Sequence, residues 1–151
     1  MRPMILAGLA AIALSGGALA ATQLPPLPVT IDMLQADLVA KSGSDTVYFA
    51  GNSHGIDAAG QATLTAQARW LLAHPGVRAR IEGHADERNP RDYALAIGER
   101  RASAARDYLV LQGVPDAQLT VISWGKERPA VGGSSEMALA LNRRVTTVLM
   151  R

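Results

Sequence analysis

Apolar and polar positions change period along the chain in a way that spells out its elements. Thr46-Val47-Tyr48-Phe49 is β-branched and aromatic, a strand signal. Leu64, Ala68, Leu71 and Leu72 then recur at helical spacing, with Gln61, Gln67 and Arg69 turned away, so the pattern predicts a helix over 57–73 that Pro75-Gly76 stops. Val77, Ala79, Ile81 and Gly83 alternate with Arg78, Arg80 and Glu82, the period-two signature of a half-buried strand. Asn89-Pro90 reads as a cap and first-turn pair for a second helix that runs to about Gln112 and stops at Gly113. Gly98, Ala102, Ala105 and Leu109 form one stripe of that helix, small enough to lie close against a sheet. Leu119–Trp124 and Val145–Met150 complete two more strands, and a short helix precedes Asn142. The order β-α-β-α-β-β predicts a two-layer α/β sandwich, a four-stranded mixed sheet with both helices on one face. Each helical crossover requires either parallel neighbours or a skipped strand, with right-handed connections.

The first 45 residues read differently. Arg2 precedes an apolar run from Met4 to Ala21 broken only by Ser15, and Ala18-Leu19-Ala20 supplies small residues for cleavage before Ala21. This is the pattern of a secretory signal over 1–20, with an uncleaved membrane anchor as the alternative; Gly8, Gly16 and Gly17 weaken the run as a spanning helix. Residues 21–45 read as a linker. Leu24-Pro25-Pro26-Leu27-Pro28 favours an extended spacer, a short helix over 30–40 has nothing evident to hold it, and Ser42-Gly43-Ser44-Asp45 breaks the chain. The folded domain is therefore expected at 46–151.

Composition narrows the chemistry. The 151 residues carry fifteen Lys/Arg against thirteen Asp/Glu, an excess too small for a nucleic-acid footprint without a clustered patch. There is no cysteine, which removes disulfides, thiolate zinc sites, a Cys nucleophile and a lipid carried through sulfur. Leu14-Ser15-Gly16 has the small-residue pattern that precedes a lipidated cysteine, but Gly17 follows it and has nothing to acylate. Three histidines supply a metal site poorly, and neither metal nor cofactor is expected. His84 and Asp86 alternate along a strand end and could serve as base and orienter in a wall-peptide hydrolase. No nucleophile has motif context beside them, so a structural histidine is the plainer reading.

Five separated motifs carry a resemblance. They are Val47-Tyr48-Phe49; Gly83-His84-Ala85-Asp86-Glu87-Arg88; Gly98-Glu99-Arg100-Arg101-Ala102; Ser123-Trp124-Gly125-Lys126-Glu127-Arg128-Pro129-Ala130; and Asn142-Arg143-Arg144-Val145. In that order and spacing, residues 46–151 resemble the OmpA C-terminal-like domain family, and within it the peptidoglycan-associated lipoproteins. The resemblance implies non-covalent, non-catalytic binding of peptidoglycan through the diaminopimelate of its stem peptide, in the periplasm of a Gram-negative type envelope. It places Asp86 and Arg101 at the principal ligand-reading positions, Asn52 and Gly51 after the first strand, and Arg88 and Ile97 at secondary contacts. The chemistry is apt, because a zwitterionic amino acid needs one anion and one guanidinium close together, and the planar Arg fork suits a carboxylate. Each residue also has a plainer reading: a fold-stabilising ion pair for Asp86 and Arg101, a solvated charge for Arg88, core for Ile97. Arg143 and Arg144 read as structural. Where the family commonly has Gly-Thr and Asn, this chain has Asn89-Pro90 and Ala94, which alters the loop beside the site. The alternative function is a protein-interaction adaptor for a Tol-system partner such as the TolB propeller. Membrane association is expected only if the N-terminal segment is retained or a partner supplies it.

Overall fold

A computed structural model describes residues 24–151; the signal reading at 1–20 and the first residues of the linker lie outside the described residues. The elements in chain order are α1 (Ile31–Ser42), β1 (Thr46–Tyr48), α2 (Ala58–Ala73), β2 (Arg78–His84), α3 (Arg91–Leu111), a 3-10 turn (Asp116–Gln118), β3 (Leu119–Gly125), α4 (Glu136–Asn142) and β4 (Arg144–Met150). The sheet order is β1-β4-β2-β3, with β2 and β3 parallel and β4 antiparallel to both of its neighbours. Both permitted crossover solutions occur. α3 joins parallel neighbours, whereas α2 carries the chain past the position that β4 later fills.

The expected two-layer α/β sandwich is present, and its closeness depends on glycine. A Cβ built on Gly83 in β2 would stand 1.8 Å from the Gly98 carbonyl oxygen in α3, and one on Gly98 would stand 2.4 Å from Ser123 Oγ. Backbone thus meets backbone, and the Gly98–Leu109 stripe sinks into the sheet: Ala102, Ala105 and Leu109 are fully buried. They join Ile81, Leu64, Leu71, Val145 and Leu149 in one core.

Two boundaries differ from the sequence reading. The helix over 31–42 lies within the span read as linker, yet it is anchored. Leu38 is fully buried in the core, the Trp70 indole donates to Asp37 at 2.8 Å, and Gly43 at φ 83 closes the C-terminus. Gln35 supplies a further tie. β1 is only three residues long, so β4 runs on unpaired beyond it; the Gln35 side chain donates to the Thr147 carbonyl at 2.9 Å and accepts from Leu149 N–H at 2.9 Å, as a neighbouring strand would. The folded body accordingly starts near Thr30, whose hydroxyl caps α1. At α3, Pro90 occupies the cap position in an extended conformation and no side chain caps the helix, so Asn89 is not its cap. The Asn89 amide instead donates to Asn52 Oδ1 at 2.9 Å. Among the described residues, no helix is long and apolar enough to cross a membrane.

Candidate functional site

The C-terminal end of β2 is where side chains leave the sheet, and the predicted residues collect there. Packing Gly98 on Gly83 places Arg101, one helical turn further on, against the last residue of β2. Its guanidinium donates from Nη1 to the His84 carbonyl at 3.0 Å, from Nε to the Ser53 carbonyl at 2.8 Å and from Nη2 to the Gly51 carbonyl at 2.6 Å. It also lies 5.4 Å from the centre of the Phe49 ring. Arg101 therefore pins the loop after β1 to the end of β2 from below. Gly51 turns that loop with φ 44, a conformation other residues adopt only with strain.

Asp86 lies two residues beyond β2. Its Oδ1 accepts from Arg88 N–H at 3.0 Å, and its Oδ2 accepts from Arg88 Nη2 at 2.7 Å and Arg143 Nη1 at 3.2 Å. Burial pulls its carboxyl upward, but hydrogen bonds from the Arg88 side chain and backbone and from Arg143 outweigh this and hold it below the usual carboxylate range. Desolvation lowers Arg101 to about 10, partly opposed by the Asp86 charge, so both groups are ionised at neutral pH.

Asp86 and Arg101 are thus neighbours in charge but not partners in contact. No ion pair joins them among the described residues, which removes the simple fold-stabilising pair as their explanation. Both are deeply placed, with Asp86 2% and Arg101 1% exposed. The residues around them are exposed and form a rim: Gly51, Asn52, Ser53, Glu87 and Arg88. Ile97 is buried with Ala85 and Ala94 in a small satellite cluster beneath the rim. Arg143, read as structural from the sequence, holds Asp86 on one side and donates to the Phe49 carbonyl at 3.0 Å on the other. The Asn142-Arg143 motif was the only signal that could have drawn it into the site. A hollow of about 520 Å³ lies on the outer side of α3, lined by His54, Glu99, Arg100 and Asp107, and neither Asp86 nor Arg101 lines it.

His84 belongs to another environment. Gly83 faces α3, so His84, next along the strand, faces the helix-free side of the sheet, where Arg144, Glu82 and Arg128 set its field. Desolvation, reinforced by Arg144, lowers it to about 4, and its Nδ1 has no hydrogen-bond partner. His84 and Asp86 share no hydrogen bond among the described residues, so they do not form the base and orienter of a hydrolase.

A family model described as the OmpA family matches residues 48–143. The chain belongs to the OmpA family. This OmpA-family chain is 47% identical over 115 residues to the peptidoglycan-associated lipoprotein of Rhizobium meliloti, covering 76% of itself and 65% of that protein. It is 44% identical over 115 residues to the peptidoglycan-associated lipoprotein of Pseudomonas aeruginosa, covering 76% and 68%. The crystal structure of the peptidoglycan-associated lipoprotein from Burkholderia pseudomallei superposes with a TM-score of 0.70 at 40% identity, covering 72% of this chain and 92% of that one. The chain spans slightly under two thirds of the length of the Rhizobium relative. The 151 residues contain no cysteine. The OmpA-family domain is non-catalytic.

Proposed function

We propose that this OmpA-family domain holds peptidoglycan non-covalently in the periplasm, by reading the diaminopimelate of the stem peptide with Asp86 and Arg101. The observation that carries the reading is a fixed anion and a fixed guanidinium under one exposed rim. Both are ionised, and neither neutralises the other by direct contact. Diaminopimelate offers an ammonium beside a carboxylate, the complement of that arrangement. Arg101 has five N–H groups and spends three on the carbonyls of Gly51, Ser53 and His84, which leaves donors for a carboxylate. Gly51 and Asn52 form one wall of the rim, Arg88 the other, and Ile97 the apolar support below. Charge-assisted hydrogen bonds of about 1.5–3 kcal/mol each make two or three of them sufficient for a specific, reversible grip.

Sedimentation with diaminopimelate-type sacculi, with and without free diaminopimelate as competitor, tests this. The wild-type chain pellets with the wall and is released by the competitor. Asp86→Asn stays in the supernatant while keeping its fold, because the amide oxygen placed at the Oδ1 position still accepts from the Arg88 backbone N–H that holds the turn. Wild-type pelleting by folded Asp86→Asn defeats the reading.

The adaptor reading, engagement of a Tol-system partner such as TolB, finds support in apolar side chains near the same rim. Met137 is 75% and Val131 40% exposed, on α4 and the loop before it, and Ser134 in that loop hydrogen-bonds Glu87 of the rim. Recovery of such a partner from periplasm, abolished by Met137→Glu while wall binding persists, distinguishes the two.

A further inference from the structure

We infer that Arg88 is a built-in stand-in for the ligand's ammonium, and that capture at Asp86 is an exchange of one cation for another. This rests on the reading of Asp86 as the ammonium-binding group. The Asp86 carboxylate receives Arg88 Nε at 3.2 and 3.1 Å on its two oxygens, Arg88 Nη2 at 2.7 Å and Arg143 Nη1 at 3.2 Å. Both oxygens are occupied, so an incoming ammonium must replace a donor.

The two arginines differ in how firmly they are held. Arg143 has a side chain 13% exposed and a second anchor on the Phe49 carbonyl. The Arg88 side chain is 46% exposed, and among the described residues Asp86 is its only hydrogen-bond partner. Arg88 therefore lies between the carboxylate and solvent and is the group that can leave. Its departure costs little locally, because Arg88 N–H remains on Oδ1 and keeps the turn in shape. A primary ammonium, smaller than a guanidinium and carrying three donors, then takes the vacated side of Oδ2. Glu136 at the start of α4 lies in the electrostatic range of Arg88 and offers the displaced guanidinium a second anion.

The exchange sets specificity as well as affinity. A neutral amide or hydroxyl cannot compensate a buried carboxylate for the loss of a guanidinium, so the internal competitor screens out uncharged groups. It also scales apparent affinity down to the fraction of time that Asp86 is uncovered. With the Arg88 side chain 46% exposed over a buried carboxylate, that factor is about three- to fivefold.

Calorimetric titration of the full chain with free diaminopimelate, beside NMR detection of arginine Nε–H groups, provides the test. Arg88→Ala should bind about three- to fivefold tighter than wild type, with Arg88→Lys between them. In the wild type, the Arg88 Nε–H signal should leave its hydrogen-bonded position with the same saturation curve as binding. Unchanged or weaker binding by folded Arg88→Ala, or an Arg88 signal unmoved at saturation, overturns the exchange and leaves the site reading intact. Undiminished binding by Asp86→Asn, or absence of binding by wild type and Arg88→Ala alike, defeats the site reading and the exchange together.

Discussion

Acidification probes the burial of His84 directly. The ring is 3% exposed, on the helix-free side of the sheet, and desolvation holds it neutral down to about 4 against an ordinary 6.5. The unfolded chain accepts a proton at this residue near 6.5, whereas the folded chain refuses it until about 4. Above that upper value neither state is protonated, and the contribution of the neutral ring is fully present. As pH falls from 6.5 towards 4, the unfolded state binds the extra proton and stability declines by up to 1.36 kcal/mol per pH unit, about 3 kcal/mol in all. Below that window the loss is complete. Asp86 adds its own loss at still lower pH, since its folded value lies under the ordinary 3.8 and its stabilisation fades as pH falls from 3.8 towards that lower value. The two windows therefore separate. Urea unfolding followed by tryptophan fluorescence, at steps from pH 7.5 to 3.5, measures the slope. The comparison protein is His84→Gln, in which the other histidines still titrate and cancel from the difference. The stability of wild type should fall by about 3 kcal/mol more than that of the variant across the window. A difference that stays flat, or an imidazole NMR titration of His84 centred near 6.5, refutes the account of a dry, neutral ring.

Other consequences of the packing are equally open to measurement. Gly83→Ala drives a methyl group into the Gly98 carbonyl, backbone against backbone, and should destabilise by about 3 kcal/mol or more or prevent folding, as judged by circular dichroism and thermal melting. Leu38→Ala removes the buried anchor of α1 and should cost about 2–5 kcal/mol in urea unfolding, whereas a mutation in a true linker would leave stability unchanged.

The regular part of the fold was legible because its signals are local. Alternation from Val77 to Gly83 and the small stripe from Gly98 to Leu109 each specify a face that the structure turns to the core, although Glu82 on the opposite face of the strand read as half-buried is also buried. Helix α1 was less legible because Leu38, Asp37 and Gln35 act on partners distant in sequence; Gln35 reaches Thr147, 112 residues away. At the site, the family resemblance singled out Asp86 past a strand end and Arg101 on the packed helix, and the two stand within each other's electrostatic field. Their environments were not deducible. Arg101 spends its donors on carbonyls, including that of Ser53, 48 positions away, and Asp86 is held by Arg143, 57 positions away. Side chain to backbone contacts of this kind leave no periodic trace. Pro90 shows the limit of a local rule, because proline suits either the first turn or the residue before it, and here extended geometry selects the latter.

The amide of Gln35 has a further consequence for how copies of this protein behave together. An unguarded row of backbone donors and acceptors invites another chain to zip alongside, the common route to aggregation in proteins with open sheets. In this molecule one glutamine closes the row at Thr147 and Leu149. Trimming the chain back to residue 46 would lift that guard and leave a domain prone to self-association.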